Sequence, residues 1–118
     1  MQHHQIKRNI PEDAHPPAEV RLVDVQVEFY PDGTRLRVVM ILTPFLENPS
    51  LELALSDNMG RVISHTYIIE SPEEHLTITL HTRGYQFIKP APLRINVFYP
   101  ELGTVDEKEI FIDPLPRQ

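Results

Sequence analysis

The sequence predicts an all-β chain in which seven short antiparallel strands form a two-sheet β-sandwich. Three observations lead to this reading. Apolar and polar residues alternate with period two in one segment after another, the pattern of half-buried strands. The four glycines, Gly33, Gly60, Gly84 and Gly103, fall in expected connections, and none of the twelve prolines sits where a strand interior is needed. No window of ten or more residues carries a capped helical stripe.

The first strand follows Glu19, with Val23, Val25, Val27 and Phe29 alternating against Asp24, Gln26 and Glu28. Pro31-Asp32-Gly33 then marks a hairpin, because Asp-Gly accepts the positive φ of a tight turn. A second strand over Thr34 to Thr43 places Leu36, Val38, Met40 and Leu42 on one face; Val39 and Ile41 on the other suggest a central strand. Pro44 and Glu47-Asn48-Pro49-Ser50 break the pattern before a third strand, Leu51, Leu53 and Leu55. The turn Asp57-Asn58-Met59-Gly60 leads to a fourth strand over Arg61 to Glu70, rich in β-branched and aromatic residues. Leu76, Ile78 and Leu80 make the fifth.

Thr82 to Pro92 is the longest irregular connection, and its Tyr85, Phe87 and Ile88 are expected to fold over an open end of the core. The sixth strand carries Leu93, Ile95, Val97 and Tyr99 on one face and ends at Pro100. A seventh strand runs from about Thr104 to Ile112. The expected organisation is a flexible arm over 1–18 containing His3, His4, His15 and three prolines, a domain over 19–113, and a short tail over 114–118.

The 118 residues suit one domain, and a chain of this size buries roughly two-thirds of its unfolded surface without needing disulfides or metal. A hydrophobic share of 41% and a charged share of 24% are ordinary for a folded protein and argue against wholesale disorder. With no cysteine there is no disulfide framework, thiolate zinc site, iron–sulfur cluster or cysteine nucleophile. The same absence, with no export signal in the first residues, points to the cytoplasm. The net charge of −6, without a Lys/Arg cluster, disfavours nucleic acid and anionic membrane surfaces. The longest aliphatic run, Val38-Val39-Met40-Ile41-Leu42, is far short of the roughly 20 residues of a membrane-spanning helix.

Two stretches carry a family resemblance: Leu51 to Ile63, reading LELALSDNMGRVI, and Leu93 to Tyr99 followed by Glu101-Leu-Gly-Thr-Val105. These strand–turn–strand pieces are similar to hairpins of bacterial immunoglobulin-like and fibronectin type III-like domains, and over Val20 to Ile112 the chain resembles that class. The resemblance implies an immunoglobulin-like sandwich. The cysteine pair and buried tryptophan of antibody-type domains are absent, so it carries over no functional residue.

Candidate chemistry is sparse. There is no Gly-rich phosphate loop, His-Glu-x-x-His or Gly-x-Ser-x-Gly motif. His65, His75 and His81 lie on or beside neighbouring expected strands near Glu73 and Glu74, the basis for a small metal- or histidine-dependent enzyme; surface histidines are the plainer reading. His3-His4 lacks a third ligand for metal capture. Asp57-Asn58-x-Gly60 offers oxygen ligands for calcium but reads first as a turn. Asp106, Glu107 and Glu109 read as a solvated strand start rather than a glycosidase carboxylate pair. No catalytic, cofactor or metal residue is assigned.

Apolar residues on faces that should be wet are more informative. If Ile95, Val97, Ile110 and Ile112 point inward, Phe98 and Phe111 point outward. With the sixth strand between the third and the seventh, Ala54, Phe98 and Phe111 would share an outer face, extended by Tyr67 or Ile63 on the fourth. Such a patch marks a partner surface. The sequence therefore points to a non-catalytic protein-interaction or structural module that docks a protein partner or a second copy of itself. A carbohydrate-binding or accessory sandwich domain, stacking sugars on Tyr30, Tyr67, Tyr85 and Tyr99, is the main rival.

Overall fold

The computed structural model describes residues 10–114; the readings on His3, His4 and Leu115-Pro116-Arg117-Gln118 lie outside them. After a short 3-10 turn at Pro17–Glu19 come seven strands: β1 (Leu22–Phe29), β2 (Arg35–Leu42), β3 (Ser50–Ser56), β4 (Val62–Ile68), β5 (His75–His81), β6 (Ala91–Tyr99) and β7 (Gly103–Ile112). They form two antiparallel sheets, one in the order β1-β2-β5 and the other β4-β3-β6-β7. This is the expected all-β, seven-stranded, immunoglobulin-like sandwich.

The alternating residues meet between the sheets. Leu36, Val38, Met40, Leu76 and Leu80 of the three-stranded sheet are buried opposite Leu51, Leu53, Leu55, Leu93, Ile95 and Val97 of the four-stranded sheet. Hydrophobic burial on this scale is the main force holding the layers together. At one edge the layers are pinned by polar contacts as well. Asp106 Oδ2 on β7 accepts from the Leu22 backbone N–H of β1 at 2.8 Å, and Arg21 donates to the Val105 carbonyl at 3.2 Å. The β1–β2 turn closes as the sequence predicts, with Gly33 at φ 73° and Asp32 Oδ1 accepting from Thr34 N at 2.9 Å.

Four local expectations change. Val23 is 59% exposed rather than inward, because the register slips between Leu22 and Asp24 and shifts the alternation so that Leu22 is buried instead. β6 starts at Ala91, so Pro92 lies within a strand, near its beginning, where proline is tolerated. The arm expected over 1–18 is docked at its end: His15 bridges Phe45 in parallel, with His15 N donating to Pro44 O and Leu46 N to His15 O. That docking accompanies the complete burial of Phe45 in the β2–β3 connection. The 82–92 connection folds over one end as expected through Tyr85 and Phe87, whose rings meet at 4.9 Å, with Phe87 edge-on to Phe29 at 5.3 Å, but Ile88 is exposed.

Candidate functional site

The outer face of the four-stranded sheet is built by register. Across the strands, Tyr67, Glu52, Asn96 and Glu107 are consecutive partners and so form one row on one face. The next row is His65, Ala54, Arg94 and Glu109. Beyond the first row lies Phe98, paired with Ser50 and Thr104, and beyond the second lies Pro92, paired with Phe111. Directly opposed residues on antiparallel strands are close enough for their side chains to interact, and here they do.

Glu52 is the hub. Its Oε2 accepts from His65 Nε2 at 2.7 Å and from the Tyr67 hydroxyl at 3.0 Å, and its Oε1 accepts from Asn96 Nδ2 at 3.3 Å. The His65 hydrogen bond, helped by those from Asn96 and Tyr67, holds the Glu52 carboxyl below the usual range despite the opposing effect of its burial. The same carboxylate raises the Tyr67 hydroxyl, keeping it a donor. Around this hub the Tyr67 ring stands 4.8 Å from His65 and edge-on to Phe98 at 6.4 Å, while remaining 55% exposed. Arg94 pairs with Glu109 at 3.0 Å in the neighbouring row.

All four residues expected to form the patch lie on this face, but not as one cluster. Tyr67 and Phe98 are together, Ala54 is half-buried beside them, and Phe111 is at the other end of the sheet. Phe98 and Pro92, the partner of Phe111, are six residues apart on β6, about 20 Å at strand rise. The Arg94–Glu109 pair occupies the space between. The sequence settles which face each aromatic takes, whereas their separation depends on antiparallel register, which puts the ends of β6 and β7 at opposite edges. Glu52, His65, Arg94 and Asn96 were absent from the expected patch, although the LELAL alternation already sets Glu52 on the wet face.

The remaining candidates resolve into structural roles. β4 and β5 belong to different sheets, so His65 lies on one outer face while His75 and His81 lie on the other, and the three do not converge. Among the described residues no group of three or more His, Cys, Asp or Glu side chains is placed to hold a metal ion. Asp57 Oδ1 accepts from Met59 N and Arg61 N, each at 2.8 Å, which makes 57–60 a turn rather than a calcium loop. Of the four tyrosines, Tyr99 is buried with its hydroxyl on the Glu47 carbonyl at 2.7 Å, and Tyr85 bonds Asn58 at 3.0 Å. Tyr30 lies under Arg35, whose guanidinium carbon is 4.3 Å from the ring centre. Tyr67 alone of the four ranks among the large exposed hydrophobic residues. A separate cleft of about 360 Å³ lies between the β1 and β7 edges, where Val27, Phe29, Ile110 and Phe111 line it.

No family model matches this chain, and no curated protein does. Solved structures match in shape. A glycosyl hydrolase family 2 member from Bacteroides cellulosilyticus superposes with a TM-score of 0.64 at 13% identity, covering 80% of this chain and 14% of that one. A β-glucuronidase from Ruminococcus gnavus gives 0.53 at 18% identity, covering 83% of this chain and 16% of that one. The likeness is one of fold. This chain spans about one-sixth or less of the length of either enzyme.

Proposed function

We propose that this protein is a non-catalytic β-sandwich module of the cytoplasm that works by protein–protein contact, self-associating through the outer face of its four-stranded sheet. The observation that carries the reading is the Tyr67–Phe98 corner, an aromatic pair held at fixed geometry on a face that no other element among the described residues covers. A rigid aromatic pair beside a row of polar side chains is the anatomy of an interface centre, since aromatic anchors carry most contact energy and a polar rim sets specificity. No helix among the described residues is long and apolar enough to cross a membrane.

Sedimentation equilibrium of the wild-type chain beside Tyr67→Glu/Phe98→Glu tests this, with circular dichroism to establish that both are folded. The reading expects a wild-type dimer and a folded, monomeric variant. A wild-type monomer, or a variant that dimerises equally well, overturns it.

The fold likeness favours a second reading, an accessory domain attached to a carbohydrate-active enzyme, because the matched stretch is one small portion of two glycoside-cleaving chains. Tyr67 is then the ring placed to stack on a sugar. A glycan array on which Tyr67→Ala abolishes a wild-type signal would support it; an array without binders removes sugar recognition.

A further inference from the structure

A cleft at one end of the sandwich, where the β3–β4 turn meets the 82–92 connection, gathers the arginines that the rest of the fold leaves unused. Of the six arginines among the described residues, Arg35, Arg37 and Arg94 pair with carboxylates, and Arg21 donates to three backbone carbonyls. Arg61 and Arg83 make no ion pair or side-chain hydrogen bond with any described residue, and both line this one cleft of about 300 Å³. In a chain of net charge −6, two guanidiniums left without an acidic neighbour in one place are the arrangement of an anion site.

Arg83 holds its place against its own backbone preference. Thr82 to Tyr85 is a type I′ turn, closed by Tyr85 N donating to Thr82 O at 2.9 Å, with φ of 54° at Arg83 and 76° at Gly84. Asn, Asp or Gly is the usual first central residue of such a turn, because a longer side chain is strained at positive φ and gains no local hydrogen bond in return. Residues held in strained conformations cluster where their side chains serve a ligand. The surroundings that hold this one are firm, since Thr82 N and Oγ1 both donate to Thr34 O at 3.0 Å. On the opposite wall Asp57 Oδ1 accepts from Arg61 N at 2.8 Å. Asn58 ties the two walls together, accepting from the Tyr85 hydroxyl at 3.0 Å and donating to Pro90 O at 3.2 Å. Both guanidiniums therefore extend from clamped backbone, which lowers the ordering cost of binding.

We propose that this cleft binds a carboxylate carried on a small apolar or ring-shaped body. The planar fork of arginine matches the two oxygens of a carboxylate. Asp57 also lines the cleft, so two guanidiniums face one acidic group, and the surplus of a single positive charge suits a monoanion better than a phosphate dianion. Ile63 and the half-buried Tyr85 supply apolar wall for the body of the ligand. Both arginines are exposed, and exposed ion pairs are individually weak, so the dissociation constant is on the order of 1 mM. The site is separate from the Tyr67–Phe98 corner and does not depend on the self-association proposed above.

Benzoate is the probe, with benzamide as its neutral counterpart and inorganic phosphate as the competing anion, each titrated into isotope-labelled protein at pH 7 and constant ionic strength. Benzoate is expected to give saturable backbone amide shifts at Arg61, Arg83, Gly84 and Tyr85, and benzamide to bind at least about tenfold more weakly. Arg61→Gln is expected to weaken benzoate binding at least about fivefold. Arg83→Asn separates side chain from backbone: asparagine favours the left-handed region, so this variant keeps or raises the wild-type Tm while losing at least about fivefold in benzoate affinity. Arg37→Gln, on the other sheet, leaves that affinity unchanged. Absence of saturable shifts, benzamide bound as tightly as benzoate, or full benzoate affinity in both Arg61→Gln and Arg83→Asn overturns the site. Phosphate bound more tightly than benzoate overturns its assignment to a carboxylate.

Discussion

Replacing Phe45 with alanine tests the least expected part of the core. Phe45 lies in the irregular connection between β2 and β3, yet its relative exposure is 0%. Its backbone is held on both sides, Pro44 O accepting from His15 N and Leu46 N donating to His15 O, each at 2.9 Å, so the chain cannot readily collapse into the space left by the ring. Removing the phenyl group forfeits on the order of 120 Å² of apolar burial, about 3 kcal/mol at 25 cal/mol per Å². The cavity left behind raises the loss to about 4 kcal/mol, within the range for buried Phe→Ala changes. For a chain of this size that corresponds to a Tm lower by about 12–16 °C. Urea unfolding followed by far-ultraviolet circular dichroism reads the difference, since the chain has no tryptophan to report by fluorescence. Phe111→Ala serves as the comparison: at 59% exposure it should cost less than about 1 kcal/mol. A Phe45→Ala loss below about 1.5 kcal/mol, or one matching Phe111→Ala, would refute the placement of this ring in the core.

Tyr99→Phe removes the hydroxyl that donates to Glu47 O and leaves a part-buried carbonyl short of a donor, so a loss of about 1–2 kcal/mol is expected in the same urea assay. Asp106→Ala releases the Leu22 N–H, and amide hydrogen exchange should show Leu22 losing protection while the centres of β2 and β6 keep theirs. The Glu52 carboxyl titrates below its ordinary value near 4.5 in the folded chain, so it contributes stability that is complete above that value and lost as pH falls through the lower folded one. Glu52→Gln should therefore reduce the steepness of stability loss on the acid side of pH 4.5, and an unchanged acid profile would refute the role of its three donors.

The fold was legible because each strand repeats the same message at period two and each break carries turn residues. LELAL, LRINVFY and the Asp32-Gly33 turn all agree with the structure in face and position. Phase errors arose where local alternation is interrupted. Val23 and Leu22 exchange roles because the β1 register slips by one residue, which no composition signal marks. Phe45 follows Pro44 in a segment that reads as loop, and only a contact with His15, thirty residues earlier, reveals its place. The site was half legible for a related reason. Facing follows from each strand alone, so Ala54, Tyr67, Phe98 and Phe111 go to one side; proximity follows from pairing, so Glu52, His65 and Asn96 join Tyr67 only once β3, β4 and β6 are aligned. The histidines show the converse, since neighbours in sequence order, β4 and β5, belong to different sheets.

The central claim is that the four-stranded sheet presents the docking face. A concentration series of backbone amide spectra on the isotope-labelled wild-type protein tests it without perturbing any residue. The account predicts concentration-dependent shifts confined to β3, β4, β6 and β7, largest near Glu52, Tyr67, Asn96 and Phe98, with β1, β2 and β5 unmoved. Shifts centred on the β1-β2-β5 sheet, or spectra that do not change with concentration, would contradict it.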